Sequence, residues 1–349
     1  MSMDHRKLLV AGAYGTGNLG DEAILVGLLR LFVEGKKYDR NQVVVFSRDP
    51  EETSSFHRVF ARRRNILDLL KTDDIVIGGG ELFQDVGYMA VKYSVLGLIS
   101  KILGKRVRFY AVGVSSNRSR VAKLLMTLSL SVADEISVRD SASRKRLRNL
   151  GIRKPIMIVP DPAYYVEPVS PEEATRLLRR EGIEVNEKNI SVAIVSQYVR
   201  DPQQNRRIQL FLLNFLRKSL KEYRNVQFVF FPFNSHKDVS SDKDIIYGKW
   251  LESVLKSDRY KTIHSAYTPQ QVMGMLRLMD LVVSTRFHPL LFAVRTGVPA
   301  IGINLFEKVD SFCRKHGLLL VGTDEHEKIF QAMHTLVSSS SRRGNVLEE

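Results

Sequence analysis

The feature that most constrains this chain is a regular alternation of short apolar runs with longer amphipathic stretches, kept up almost from end to end. That alternation is the pattern of βα units wound around parallel sheets, in which covered strands read as apolar and crossover helices bury one stripe. In the first half the predicted strands are Lys7–Ala13, Gln42–Ser47, Asp74–Ile77, Val107–Val112, Glu135–Val138 and Ile156–Val159. In the second half they are Asn189–Gln197, Val226–Phe231, Thr262–Ser265, Leu281–Ser284 and Ala300–Asn304. Between them, Leu25, Leu28, Leu29 and Phe32 form one stripe of helical spacing, and Phe211, Leu212, Phe215 and Leu216 another. A chain of 349 residues exceeds the usual size of a single core, so two domains are expected. The proline-rich stretch Asp161–Pro171 marks their boundary, and Ser170-Pro171-Glu172-Glu173 reads as a helix start beyond it. The expected division is residues 1–166, residues 167–337 and a flexible tail, 338–349, where Ser338–Ser341 precedes Arg342-Arg343-Gly344. The expected fold class is α/β and GT-B-like: two Rossmann-like, doubly wound domains facing across a cleft.

Composition narrows the function classes. With 44% hydrophobic and 26% charged residues the chain is of folded, globular type. No apolar run approaches the ~18–20 residues of a membrane-spanning helix. Met1–Lys7 leads straight into Leu8–Ala11 without the apolar core of a signal peptide, and Cys313 is the sole cysteine. The expected location is therefore the cytoplasm. The formal charge is +15, from 53 basic and 38 acidic residues, with clusters at Arg62–Arg64, Arg144–Arg146, Arg179-Arg180, Arg206-Arg207 and Arg342-Arg343. Such a surface attracts phosphorylated ligands or an anionic membrane, and is compatible with peripheral contact at the inner face of the membrane. The clusters are dispersed and no nucleic-acid module accompanies them, so nucleic acid is not an expected partner. There is no Cys/His spacing for zinc and no Walker lysine, so no metal or nucleotide cofactor is expected. The oligomeric state is not written in the sequence.

Ligands of open α/β sheets bind beyond the carboxyl ends of the strands, so residues just after each strand are the site candidates. After the first strand comes Gly12-Ala13-Tyr14-Gly15-Thr16-Gly17-Asn18-Leu19-Gly20-Asp21-Glu22. Gly15, Gly17 and Gly20 have the spacing of a dinucleotide fingerprint, but Asp21 and Glu22 would oppose a pyrophosphate on the same amides. Gly17, Asn18, Asp21 and Glu22 are therefore assigned to a substrate-lining loop. Asn18 and Asp21 also have the spacing of a helix-capping pair. Gly78-Gly79-Gly80-Glu81 follows another strand; Gly79 and Gly80 allow close ligand approach, while Glu81 and Gln84 suit ligand hydroxyls. Arg139 and Asp140 emerge where Glu135–Val138 ends. Arg139 suits a carboxylate or phosphate, and Ser141 or Ser143 is expected to cap the next helix. In the second half Leu281–Ser284 delivers Arg286, Phe287, His288 and Pro289, and Glu307-Lys308 follows the next strand. Arg286 is a fixed cationic fork, His288 exchanges protons near neutral pH, and Lys308 is a further cation for the same site. His236 and Asp238 follow another predicted strand and are weaker candidates.

In their order and spacing these residues resemble the polysaccharide pyruvyl transferase family, which includes enzymes of cell-wall and exopolysaccharide synthesis. The resemblance runs through Gly17–Glu22, Gly78–Gly80, Val138-Arg139-Asp140 with Ser143, Asp161-Pro162-Ala163, Arg286-Phe287-His288, Gly297-Val298-Pro299 and Lys308. The family commonly has leucine where this chain has Phe287, a departure that leaves the two chemical residues intact. The resemblance implies a GT-B-like fold and transfer of the pyruvyl group of phosphoenolpyruvate to a sugar, forming a ketal and releasing phosphate. It further implies a sugar acceptor on a cell-surface polysaccharide or its polyprenyl-diphosphate-linked precursor, with His288 and Arg286 catalytic. Three other readings of the residues stay open. Gly297-Val298-Pro299-Ala300 also resembles the donor-side turn of GT-B glycosyltransferases that use nucleotide sugars, although the glutamate pair many of them employ is missing. The glycine loop with Arg48 suggests an NADP-dependent oxidoreductase, which Asp21 and Glu22 disfavour. A basic scaffold without turnover would leave the strand-end residues unexplained.

Overall fold

A computed structural model describes residues 6–35, 37–83, 87–115, 119–186, 189–197, 199, 201–235 and 244–345. The chain divides into two compact units, Met1–Val166 and Glu167–Glu349.

In unit 1 the strands are β1 (Leu8–Ala11), β2 (Val43–Phe46), β3 (Phe60–Arg62), β4 (Asp74–Gly78), β5 (Arg106–Val112), β6 (Glu135–Val138) and β7 (Met157–Ile158). Its helices are α1 (Leu19–Leu29), α2 (Pro50–His57), α3 (Ile66–Leu70), α4 (Gly87–Ile102), α5 (Arg120–Val132) and α6 (Ser141–Asn149). The strands pair in parallel in the order β3-β2-β1-β4-β5-β6-β7. β1 and β4 are buried along their whole length, which is why Leu8–Ala11 and Ile75–Ile77 read as unbroken apolar runs. Leu9, Ile75, Ile77, Val107 and Phe109 pack with Tyr93, Met126 and Leu130 of α4 and α5 in one core.

Unit 2 opens with α7 (Pro171–Arg180), started by Ser170, whose hydroxyl accepts from the Glu173 amide, and by Pro171 in the first turn. β8 (Ile190–Val195), α8 (Pro202–Glu222), β9 (Val226–Phe230), α9 (Asp244–Leu255), β10 (Tyr260–Thr262), α10 (Pro269–Arg277) and β11 (Leu281–Ser284) follow. The chain ends with α11 (Phe287–Thr296), β12 (Ala300–Ile303), α12 (Glu307–His316), β13 (Leu319–Val321) and α13 (His326–Asn345). The sheet order is β10-β9-β8-β11-β12-β13, again parallel. Counted within the unit that is 3-2-1-4-5-6, the Rossmann order, and the first six positions of the unit 1 sheet repeat it. Each sheet therefore reverses its winding at one point, between β1 and β4 and between β8 and β11.

The sequence-based strands are met within a few residues, with three differences. β3 and β13 are three-residue edge strands whose runs are too short to register as apolar segments. β10 lies two residues earlier than Thr262–Ser265, because Lys261 on its half-solvated edge interrupts the apolar pattern. The backbone of α13 is helical through Asn345, so it covers most of the stretch expected as a flexible tail; serines and arginines lower helix propensity only slightly, and Gly344 lies at the very end.

Candidate active site

In unit 1 the loops after β1 and β4 meet at the winding reversal. Gly15 and Gly17 have φ of +68° and +82°, and Gly79 and Gly80 +71° and +74°. The two loops are tied together by Tyr14, whose buried hydroxyl donates to the Gly78 carbonyl at 2.7 Å. A Cβ on Gly79 would stand 1.7 Å from Ile24 Cγ2, and one on Gly80 3.1 Å from Asp21 Oδ1, so the second glycine loop lies directly against the start of α1. Asn18 caps α1, its side chain accepting from the Gly20 amide at 3.0 Å.

Glu22 does not line this loop as expected. It is buried, one oxygen accepting from the Gly15 amide at 2.8 Å and the other 2.7 Å from His57 Nε2 at the end of α2. The amide that a pyrophosphate would need is thus held by the chain's own carboxylate, which argues against a dinucleotide reading. The largely buried guanidinium of Arg139 has Asp140 Oδ2 at 3.5 Å, Asp161 Oδ2 at 3.6 Å and Glu81 Oε2 at 4.0 Å. Three carboxylates already face this cation. Asp161 is wholly buried; burial pushes its carboxyl up, while Arg139 and the Ala163 amide pull it down. Asp140, not Ser141 or Ser143, caps α6: the helix begins at Ser141, and Asp140 accepts from the Ser143 amide at 2.6 Å. The Ser143 hydroxyl accepts from the Val114 amide instead. Gln84, His236 and Asp238 lie outside the described residues.

Two cations that sequence reading missed stand close to these loops. Arg64, just beyond β3, lies 4.8 Å over the Tyr93 ring, and Lys92 Nζ lies 5.5 Å from the same ring and 5.9 Å from that of Tyr88. The Lys92 ammonium is pulled down to about 8, first by burial, then by Arg64 and Arg48. Asp21 acts electrostatically on both Tyr14 and Tyr93, which places the aromatic pair beside the glycine loops. The available signal was the run Arg62–Arg64 before α3, but nothing in sequence joins it to a lysine in α4.

In unit 2 the winding reversal carries Arg286. Its backbone is extended (φ −111°, ψ 150°) at the N-cap of α11, and its amide donates to the Ser284 hydroxyl at 2.9 Å. Its Nη2 donates to Asp244 Oδ1 at 2.7 Å, while Asp244 Oδ2 accepts from the Phe233 amide at 3.0 Å. Asp244, the first residue of α9, is fully buried; burial pushes its carboxyl up, and Arg286 with two backbone amides opposes that. The guanidinium is thereby fixed at one corner, and among the described residues its buried Nε has no hydrogen-bond partner. The hydroxyls of Ser196, just after β8, and Thr285, just after β11, are likewise buried without a partner among the described residues. Thr285 is tied to the end of β8 through its amide, which donates to the Val195 carbonyl at 3.0 Å. Buried polar groups left unpaired are uncommon and call for a ligand or water. Sequence reading did not find Asp244, Ser196 or Thr285, since single aspartates and hydroxyls carry no spacing signal.

His288 sits in the first turn of α11, its ring 5.1 Å from that of Phe287. Phe287 packs edge-on against Phe312 of α12 at 5.0 Å, so the residue between the arginine and the histidine anchors this turn in a neighbouring helix. Lys308 lies in the first turn of α12, its Nζ 5.8 Å from the Phe306 ring. Since β11 and β12 are adjacent, with Ser284 opposite Gly302, Arg286, His288 and Lys308 all emerge from the carboxyl ends of neighbouring strands.

Several solved structures are similar over nearly the whole chain at low identity. One is a putative UDP-N-acetylglucosamine 2-epimerase from Listeria monocytogenes (14% identity, TM-score 0.63, covering 95% of this chain and 88% of that one). Others are the S. aureus MnaA structure with UDP (11%, 0.65, 95% and 88%) and the UDP-GlcNAc 2-epimerase from Methanocaldococcus jannaschii (12%, 0.65, 94% and 92%). These likenesses establish the fold: α/β, GT-B-like, with two Rossmann-like domains. No match was found among curated protein sequences. The profile of the family described as polysaccharide pyruvyl transferase matches residues 18–305, a span that includes the Asn18–Glu22 segment, Gly79, Gly80, Arg139, Arg286 and His288. The chain belongs to the polysaccharide pyruvyl transferase family.

Proposed function

We propose that the protein transfers the pyruvyl group of phosphoenolpyruvate to a vicinal or 1,3-related pair of sugar hydroxyls, forming a ketal and releasing inorganic phosphate. The observation that carries this reading is the Arg286 site. A guanidinium clamped by a buried aspartate, with two buried hydroxyls at neighbouring strand ends that have no partner among the described residues and a histidine two residues on, suits a ligand with both a carboxylate and a phosphate. Arg286 and Lys308 hold those anionic groups, with the Ser196 and Thr285 hydroxyls as further donors. His288 protonates the methylene carbon, leaving oxocarbenium character at C2. One sugar hydroxyl adds to C2 and loses its proton. The C2–O bond to phosphate then breaks, the added sugar oxygen stabilising a second oxocarbenium ion, and the second hydroxyl adds to it, its proton leaving with the phosphate. The scheme needs neither a metal nor a nucleotide cofactor.

The sugar is assigned to unit 1, where Asp21, the Gly79-Gly80 backbone and Glu81 accept and donate hydrogen bonds to hydroxyls. Asn18 and Gly17 shape the loop, Glu22 holds it, and Arg139 orients Glu81. Arg64 and Lys92 supply positive charge for a phosphate-bearing part of the acceptor. The acceptor class is a sugar of a cell-surface polysaccharide or its lipid-linked precursor, and the setting is the cytoplasm. The test is phosphate release from phosphoenolpyruvate across a panel of amino-sugar and hexose acceptors. His288→Ala should lower turnover by at least about a hundredfold while phosphoenolpyruvate still raises the melting temperature; full activity in that variant would sink the assignment. Several neighbours in fold are UDP-N-acetylglucosamine 2-epimerases by their titles, and two of the structures hold UDP, which supports a second reading as a nucleotide-sugar glycosyltransferase. Thermal stabilisation by UDP-sugars and not by phosphoenolpyruvate would favour that alternative.

A further inference from the structure

One side of unit 1 leaves several large apolar side chains uncovered. α5 is apolar on two faces, and only one is packed: Ala122, Met126 and Leu130 are buried in the core shared with α4. Val121, Leu124, Leu128 and Val132 recur at spacings of three and four, which at about 100° per residue keeps them on one stripe. They are 43–62% exposed. α3 is turned inside out in the same sense. Its Asp68 is buried and paired with Arg62 at 3.3 Å, while Ile66, Leu67 and Leu70 face solvent. Phe60 on edge strand β3 and Ile102 at the end of α4 extend the surface, Ile102 being 83% exposed. A helix that is apolar beyond its packed face has a further apolar surface to satisfy.

These elements lie on one side of the sheet. β4, β5 and β6 run successively away from β1, and right-handed crossovers put their intervening helices on a common face. Leu69 of α3, Tyr93 and Leu96 of α4, and Met126 and Leu130 of α5 belong to one core cluster. Lys105, after α4, donates to the Leu70 carbonyl at the end of α3 at 3.0 Å.

The exposed charged residues of the β3–α3 segment and of α5 are basic. Arg63, Lys71, Arg120 and Lys123 are exposed. The acidic groups of the same region are already engaged: Asp68 with Arg62, Asp134 with Lys101, Glu135 with Arg106, and Asp73 with the Lys7 amide. No helix is long and apolar enough to cross a membrane among the described residues. An apolar stripe rimmed by arginine and lysine is the composition of a surface that lies in a lipid interface, apolar side chains at the acyl boundary and cations on headgroup phosphates. A second copy of the chain fits this face poorly, because pairing it with itself would bring the same cations together. We infer that α3, α5 and the end of α4 form a docking surface for an anionic lipid bilayer.

The experiment is co-sedimentation of the full chain with phosphatidylcholine vesicles with and without phosphatidylglycerol, across a salt series. Binding is expected to the phosphatidylglycerol vesicles alone and to weaken steeply with salt. The double variants Leu124→Asp/Leu128→Asp and Arg63→Glu/Lys123→Glu should each lose about tenfold or more in vesicle affinity. Their melting temperatures should stay near that of the parent, since all four side chains are exposed. No binding to phosphatidylglycerol vesicles at low salt overturns the inference, as does undiminished binding by both variants. Light scattering provides the third arm: vesicle-free dimerisation abolished by Leu124→Asp/Leu128→Asp would make the face a self-interface, also overturning it. None of these readings depends on turnover, so a failure here is separable from a failure of the pyruvyl-transfer assignment.

Discussion

Glu22 joins a backbone amide of the first glycine loop to His57 of a second helix, and both contacts are buried. Replacing it with alanine strands a backbone donor and an imidazole together, so Glu22→Ala should cost about 2–3 kcal/mol in urea unfolding. Lys92 offers a test of sign. Its folded-state value of about 8 lies below the ordinary 10.5, so between those values the unfolded chain binds the extra proton and stability rises with pH. The wild type should therefore gain on Lys92→Met between about pH 8 and pH 10.5. Lys92 is half exposed, so solvent screening holds the gain below about 1 kcal/mol. Thermal melts of the two proteins over that range would check it, and an opposite slope would refute the placement of Lys92. At this scale the sequence was partly legible. Arg286 and His288 stand out because a cation and an imidazole two residues apart after an apolar run are unusual. The partners of Arg139 were not legible, because Glu81 and Asp161 are 58 and 22 residues away in sequence and converge only in the fold.

At the scale of elements, the two kinds of glycine separate cleanly. Gly79 needs its positive φ and also lies against Ile24, whereas Gly297, the left-handed cap of α11, has nothing near a would-be Cβ. Gly297→Ala should therefore cost about 1 kcal/mol, the left-handed penalty alone. Gly79→Ala adds a steric clash on top and should exceed that by at least about 1–2 kcal/mol in the same denaturant assay. Equal costs would mean that α1 yields to make room. Strands and helix starts were largely readable because apolar runs and Ser-Pro or Asn caps are local signals. The edge strands β3 and β13 were not, since a three-residue strand draws its stability from the neighbour it pairs with and not from its own side chains.

For the whole molecule, the division at Val166 separates two sheets of like topology, each with a core of its own. Residues 1–166 expressed alone should fold cooperatively, with a sigmoidal urea transition and α/β circular dichroism; a gradual, featureless transition would count against an independent core. What the sequence shows at this scale is the repeated winding, and what it conceals is that the two reversals carry different chemistry. Unit 2 leaves donor groups waiting around Arg286, while unit 1 has filled one of its own. Any phosphate arriving at Gly15 would have to evict Glu22 first, so the loop contains a permanent intramolecular competitor. The glycine spacing of a dinucleotide loop is thus kept while a carboxylate of the same chain occupies one of its amides. In such loops the glycines record only how the backbone turns, and the side chain seven residues past Gly15 records what the turn is able to hold.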